Sequence, residues 1–222
     1  MGARAMWLQI DERADLLTSL SQCLRSLSVV SSEPAAWKWA ILSLHNALQG
    51  AMVCHLSGTA QVGALSAKAA KDWADWHERD QLGQIGRIHE GTNELSIPQF
   101  KFATREDRPP IDRLADPMEL FKRLYNESQR QEGGAGAVLE IGQAQRNSFR
   151  RLHKLRNAFA HFTPKGWSLE LRGLPNIFLS VLEVLDIISA DPWPFRHMEA
   201  QQRAQFVDLL ANLRTVLVEI SR

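Results

Sequence analysis

Apolar residues recur along most of this chain at steps of three and four, the spacing that keeps side chains on one face of an α-helix. Between Ile10 and Val30, Leu16, Leu20, Cys23, Leu24 and Leu27 share one side, and Asp11 stands where a helix cap belongs. Ser31-Ser32-Glu33-Pro34 interrupts the pattern, with proline suited to a first helical turn. The next helix, Ala35 to Leu56, is apolar on most of its circumference and should therefore be central. A third, Ser66 to Asp80, carries Trp73 and Trp76 for packing and turns Lys68, Lys71 and Asp72 toward solvent. From Gln81 to Pro117 the periodicity fails among glycines, charges, Pro98, Pro109 and Pro110. That stretch reads as a structureless insertion with one short extended piece at Leu95 to Phe102. Helix resumes at Asp116-Pro117, and Gly133, Gly134 and Gly136 form a gap before a long helix that starts near Ala137. Trp167 to Leu171 alternates like a short strand or a tight connection, and Pro175 opens a strongly apolar helix, Asn176 to Ala190. After the rigid turn Asp191-Pro192-Trp193-Pro194, Met198 to Ile220 closes the chain as an amphipathic helix. The pattern predicts an all-α fold, a helical bundle of about five to seven helices in one domain. That domain covers 1-222, with the loop insertion at 81-117.

The long late helix has two faces of different chemistry. In Arg146 to Phe162, RNSFRRLHKLRNAFAHF, the positions Phe149, Leu152, Leu155, Phe159 and Phe162 make an apolar stripe for a core. Arg146, Arg150, His153, Asn157 and His161 form a second, cationic stripe that ends in histidine just before Pro164 and Gly166 stop the helix. Core packing does not require that second stripe. Arginine stays protonated and offers a forked set of donors suited to phosphate, whereas histidine can take or give a proton near neutrality. Arg156 with His161 therefore reads as phosphate binding joined to proton transfer. Five residues of helix separate them by about 7.5 Å of rise and roughly 140° of rotation, so only the length of the arginine lets both reach one phosphate. Asn157, one turn before His161, is placed to orient its ring or hold a substrate oxygen. Read without any family context, the same residues equally fit a C-terminal cation and a capping histidine.

Arg156, four intervening residues and His161, with polar Asn157 directly after the arginine, resemble the signature of the HEPN superfamily. Ala40 to Leu56, AILSLHNALQGAMVCHL, also resembles the opening helix of such bundles. The resemblance implies a compact helical bundle, and many members are metal-independent ribonucleases that act as dimers. On that reading Arg156, His161 and Asn157 are catalytic, and Arg150, His153, Lys154 and Arg146 bind RNA, with neither metal nor cofactor. The expected function is endoribonuclease, as a toxin or phage-defence effector. The alternatives are a catalytically inactive module binding RNA or a nucleotide, and a protein-interaction partner in a toxin-antitoxin pair. In that pairing the resemblance implies a nucleotidyltransferase as antitoxin or regulatory protein, which modifies a tyrosine two residues after the histidine. Here Thr163 stands at that position, which weakens the third reading. A homodimer is expected, because in-line displacement needs a base and an acid on opposite sides of phosphorus and one histidine cannot be both.

Composition narrows the picture further. The 222 residues are 45% hydrophobic and 23% charged, ordinary for a globular protein, and the formal net charge is only +1. No global field draws the chain to nucleic acid, so any phosphate attraction must be local, strongest between Arg146 and Arg156. Cys23 and Cys54 stand apart in apolar helical context and read as reduced core thiols, consistent with a cytoplasmic location. The opening residues lack a secretory apolar run, and Ile177 to Ser189, interrupted by Glu183 and Asp186, is too short to span a bilayer, so no membrane partner is expected. His45, Cys54 and His55 would be spread over different helix faces, a poor metal set. Gly83, Gly86 and Gly91 open no phosphate loop.

Overall fold

A computed structural model describes residues 8, 10–59, 61–92, 98–161 and 166–222. Its helices are α1 (Glu12–Leu27), α2 (Trp37–Leu56), α3 (Ala67–Gln81), α4 (Pro117–Tyr125), α5 (Gln143–Ala160), α6 (Leu174–Ala190) and α7 (Ala200–Ile220). Two strands, β1 (Arg87–Thr92) and β2 (Pro98–Phe102), pair antiparallel. The architecture is thus mostly helical with one small sheet. No helix among the described residues is long and apolar enough to cross a membrane.

Local chemistry explains the element boundaries. The Asp11 carboxylate accepts from the backbone N–H groups of Arg13 and Ala14 and so caps α1, a contact that typically contributes about 1 kcal/mol. Pro34 to Ala36 form a short tight turn leading into α2, whose buried positions run around nearly its whole surface. Around α2 pack α1, α4, α5 and α6, with α7 against α1 and α6. Gly50 permits the close approach of α1, since a Cβ there would lie 3.2 Å from the Glu12 carbonyl oxygen. Leu16, Leu20, Leu44, Leu48, Phe149, Phe178, Val181 and Leu185 are wholly buried at the centre, each such side chain stabilising by roughly 1.5–3 kcal/mol. Phe121 of α4 stacks on Phe149 of α5 with ring centroids 4.3 Å apart, which fixes the spacing of those two helices.

Two expectations are corrected. The insertion at 81-117 is not structureless. It holds the β1–β2 hairpin, with a bulge between His89 and Gly91, and a following segment tied down by side chains of α3. Trp76 donates to the Asp107 carbonyl at 2.9 Å, Trp73 donates to the Asp112 carboxylate at 2.8 Å, and Arg79 pairs with Asp107 at 3.2 Å. The extended piece anticipated at Leu95 to Phe102 is β2 over its second part, and residues 95–97 lie outside the described residues. The long helix starts at Gln143 rather than near Ala137. Residues 137–142 form no helix, and the Leu139 N–H donates to the Leu124 carbonyl at 2.8 Å. Gly136, at φ +75°, forces this course: a Cβ there would sit 2.6 Å from the ring of His55, whose Nε2 donates to the Ala137 carbonyl at 2.8 Å. Of the two readings of Trp167 to Leu171, the connection holds: it forms no strand, and Trp167 leans on Phe159, 4.8 Å between ring centroids.

Candidate nucleic-acid interface

The sequence of α5, QAQRNSFRRLHKLRNAFA, holds Arg146, Arg150, Arg151, Lys154 and Arg156 and no acidic residue. Phe149, Leu152 and Leu155 bury the opposite face against α2 and α6, which leaves the charged positions turned outward or half-buried. None of these five cations joins an ion pair with a carboxylate among the described residues. In a chain of net charge +1 this is a local concentration of uncompensated positive charge.

Arg146, Arg150, His153 and Lys154 line one groove of about 410 Å³ between α4 and α5. Lys122 of α4 adds a further cation, and Met118, Phe121 and Tyr125 supply its apolar wall. Lys122 carried no signal in the sequence, because it reaches the groove from a different helix. The Arg146 guanidinium lies 4.0 Å over the Tyr125 ring while its Nε donates to the Ile141 carbonyl at 2.8 Å. Arg150 donates to the Asn147 side-chain oxygen at 3.0 Å, and Lys154 is exposed. A larger cavity of about 650 Å³ lies elsewhere, lined among others by Glu12, Arg13, Trp73, Asp112 and Arg196. Its charges are balanced, and Arg13 is already held by Asp11, so it offers a polyanion much less than the α4–α5 groove does.

The other predicted residues occupy the end of α5. His153 does more than face the groove. Its Nδ1 lies 3.0 Å from Nε2 of His45 on α2, and its Nε2 lies 3.0 Å from the side-chain nitrogen of Asn157. The Asn157 side-chain oxygen in turn accepts from Arg156 at 2.9 Å. Both ring nitrogens of His153 are therefore engaged within the protein. The side chain of Asn157 bridges Arg156 and His153 rather than holding the ring of His161, and only its carbonyl meets His161, accepting from that residue's N–H at 2.9 Å. His161 is not part of the helix. It follows the last helical residue, Ala160, with φ −114° and ψ 59°, and it is exposed. Phe162 of the apolar stripe, the Thr163 position and the Pro164 stop lie outside the described residues.

Burial dominates the electrostatics of this cluster. His45 is fully enclosed, stacked on Phe149 at 5.7 Å, and its pKa is pushed down to about 3, by desolvation first and then by the nearby His153 and Arg156. Desolvation also lowers His153, helped by Arg156 and opposed by the Asp116 carboxylate. His55 is lowered too, again chiefly by burial. An unfolded chain takes up a proton at His45 near pH 6.5, whereas the folded protein does so only near 3. Stability from this residue is therefore complete above about pH 6.5 and falls as the pH drops toward 3, by about 1.4 kcal/mol per unit. Chemical denaturation at pH 7 and pH 5 should show a marked loss, and His45→Gln should shrink that loss by about 2 kcal/mol. An unchanged pH dependence in the variant would mean that His45 is protonated in the fold.

Among the described residues no group of three or more His, Cys, Asp and Glu is arranged to hold a metal ion. Cys23 and Cys54 are free and buried. Compared with known proteins, the chain matches no protein-family model, no curated protein and no solved structure.

Proposed function

We propose that this chain is a metal-independent endoribonuclease of HEPN type, acting as a homodimer on RNA. The observation that supports it most is the acid-free, cationic face of α5, whose Arg146, Arg150 and Lys154 share one groove with Lys122 and whose last turn leads from Arg156 to an exposed His161. The groove suits a single strand: cations follow the phosphates and the Tyr125 edge meets a base. RNA brings its own nucleophile. His161 removes the proton of a 2′-hydroxyl, the 2′-oxygen forms a bond to the adjacent phosphorus, and the bond to the 5′-oxygen breaks. Arg156 stabilises the charge that develops on the phosphoryl oxygens. The departing 5′-oxygen takes its proton from a second group on the far side, the His161 of a second copy. The products are a 2′,3′-cyclic phosphate and a 5′-hydroxyl, and DNA is not a substrate. A toxin or phage-defence role follows from such an activity, held in check by a regulatory protein.

A second reading, an RNA-binding module without cleavage, is favoured by one observation: His161 is not among the residues lining the groove. Single-stranded RNA incubated with the purified protein in EDTA separates the two. Cleavage with cyclic-phosphate ends is the expected outcome, and tight binding without cleavage would decide for the module. In both cases log K should fall against log salt with a slope of about −3, for about four phosphate contacts on a single strand. Lys122→Ala should reduce that slope by about 0.7. Salt-independent binding would remove the groove from both readings.

A further inference from the structure

We infer that His45, on the buried helix α2, is a positioning residue for Arg156, acting through a directed chain of hydrogen bonds His45–His153–Asn157–Arg156. This deepens the proposed function and rests on the reading of Arg156 as the phosphate-binding group. The direction of the chain follows from a single fact, that a guanidinium can only donate. Arg156 Nη1 donates to Asn157, so the atom facing it must be the amide oxygen. The amide nitrogen of Asn157 then faces Nε2 of His153, and since that nitrogen can only donate, Nε2 must be an acceptor without a proton. A neutral His153 lacking the Nε2 proton carries it on Nδ1, where it donates to Nε2 of His45. His45 must in turn hold its own proton on Nδ1. That nitrogen is buried and has no partner among the described residues.

Each member of the chain is therefore fixed in tautomer and orientation by the next. The two imidazoles are held in place from the side by the Phe149 ring, 5.7 Å from His45 and 6.2 Å from His153, and Phe121 stacks behind Phe149. The outcome is a half-buried guanidinium near the C-terminal end of α5 whose position is set from the protein core. Fixed donors cost less ordering when charge develops on a bound phosphate than free ones do. Nothing in the spacing of residues along the chain announces this. His45 and His153 are 108 positions apart, and each taken singly reads as a satisfied or solvated histidine.

Long-range proton–nitrogen NMR correlation on the full chain at pH 7 reads the tautomers directly and needs no activity. Both His45 and His153 should appear neutral with the proton on Nδ1, the less common form of free histidine. Asn157→Asp is the discriminating variant. A carboxylate still accepts from Arg156 but cannot donate to His153, so His153 should move its proton to Nε2 or become an imidazolium. A His153 carrying its proton on Nε2 in the wild type, or one indifferent to Asn157→Asp, overturns the inference. In the cleavage assay, His45→Phe keeps a ring against Phe149 but offers no acceptor. It should lower kcat about tenfold with little change in RNA affinity, the effect of one lost hydrogen bond. Equal loss of both would point to a purely structural residue and overturn the inference. If the tautomers are as stated but no RNA is cut, the chain of hydrogen bonds stands and the ribonuclease reading falls. If RNA is cut and His153 holds its proton on Nε2, the reverse is true.

Discussion

Replacing Arg123 by alanine is expected to destabilise the fold by about 3–5 kcal/mol, because two buried carbonyls would lose their donor and a cavity would open in the same place. Arg123 is the largest fully buried side chain among the described residues, with no solvent exposure. From α4 its Nη1 donates to the carbonyls of Gly63 at 2.9 Å and Leu65 at 2.8 Å, and its Nη2 pairs with Glu119 one turn earlier. Those carbonyls belong to the connection between α2 and α3, which also bonds to the far end of the insertion through Ser66 to Arg113 and Ala115 to Ala64. A single guanidinium thus anchors the start of α3 and the return of the insertion to the core. Arg123→Met separates the contributions, since it fills most of the space but donates nothing. It should recover part of the loss, leaving about 2–4 kcal/mol for the two orphaned carbonyls. Urea unfolding followed by circular dichroism measures both. A methionine variant as stable as the wild type would sink the anchoring role, and would mean that water reaches the Gly63 and Leu65 carbonyls.

That anchor also shows where the sequence was readable and where it was not. Helices α2 and α6 were legible because apolar residues cover most of their circumference, and burial of that much hydrocarbon admits few arrangements. The cap at Asp11 and the proline starts of α4 and α6 were legible because they are local chemistry. Only part of the hairpin was legible. PQFKF alternates apolar and polar residues and falls in the extended piece read from the sequence, whereas RIHEGT carries no such alternation and is almost wholly exposed; what orders it is its pairing with β2 and a distant contact, Phe102 against Trp76 at 6.4 Å. The start of α5 was misplaced for a related reason. Val138, Leu139 and Ile141 continue a helical spacing, but Leu139 and Ile141 are buried from a non-helical backbone that follows the left-handed Gly136. At the site, the cations of α5 were visible because they lie on one helix at regular steps. Lys122 and His45 were invisible because they come from other helices, and sequence spacing holds no record of what folding brings across the bundle.

The proposed chemistry makes its largest demand on His161. Alanine there should lower the rate of RNA cleavage by about 10²–10⁴, the usual loss when a general base is removed. RNA binding and the unfolding midpoint should stay as in the wild type, because His161 is exposed and lies outside the groove. Arg156→Ala should behave differently. It removes a donor that meets phosphate in both ground and transition states, so cleavage should fall by about 10²–10³ and binding should weaken with it. Arg156→Lys keeps the charge but loses the bond that seats the guanidinium on Asn157, and should recover binding more than rate. A mixture of His161→Ala and wild-type chains then tests the symmetry of the site. Where two copies share one phosphate, with His161 of one subunit as base and that of the other as acid, a mixed dimer lacks one of the two. Activity should then fall roughly as the square of the wild-type fraction. A fall in simple proportion to that fraction would show that each copy works by itself, and His161→Ala at full activity would remove the histidine from the reaction altogether.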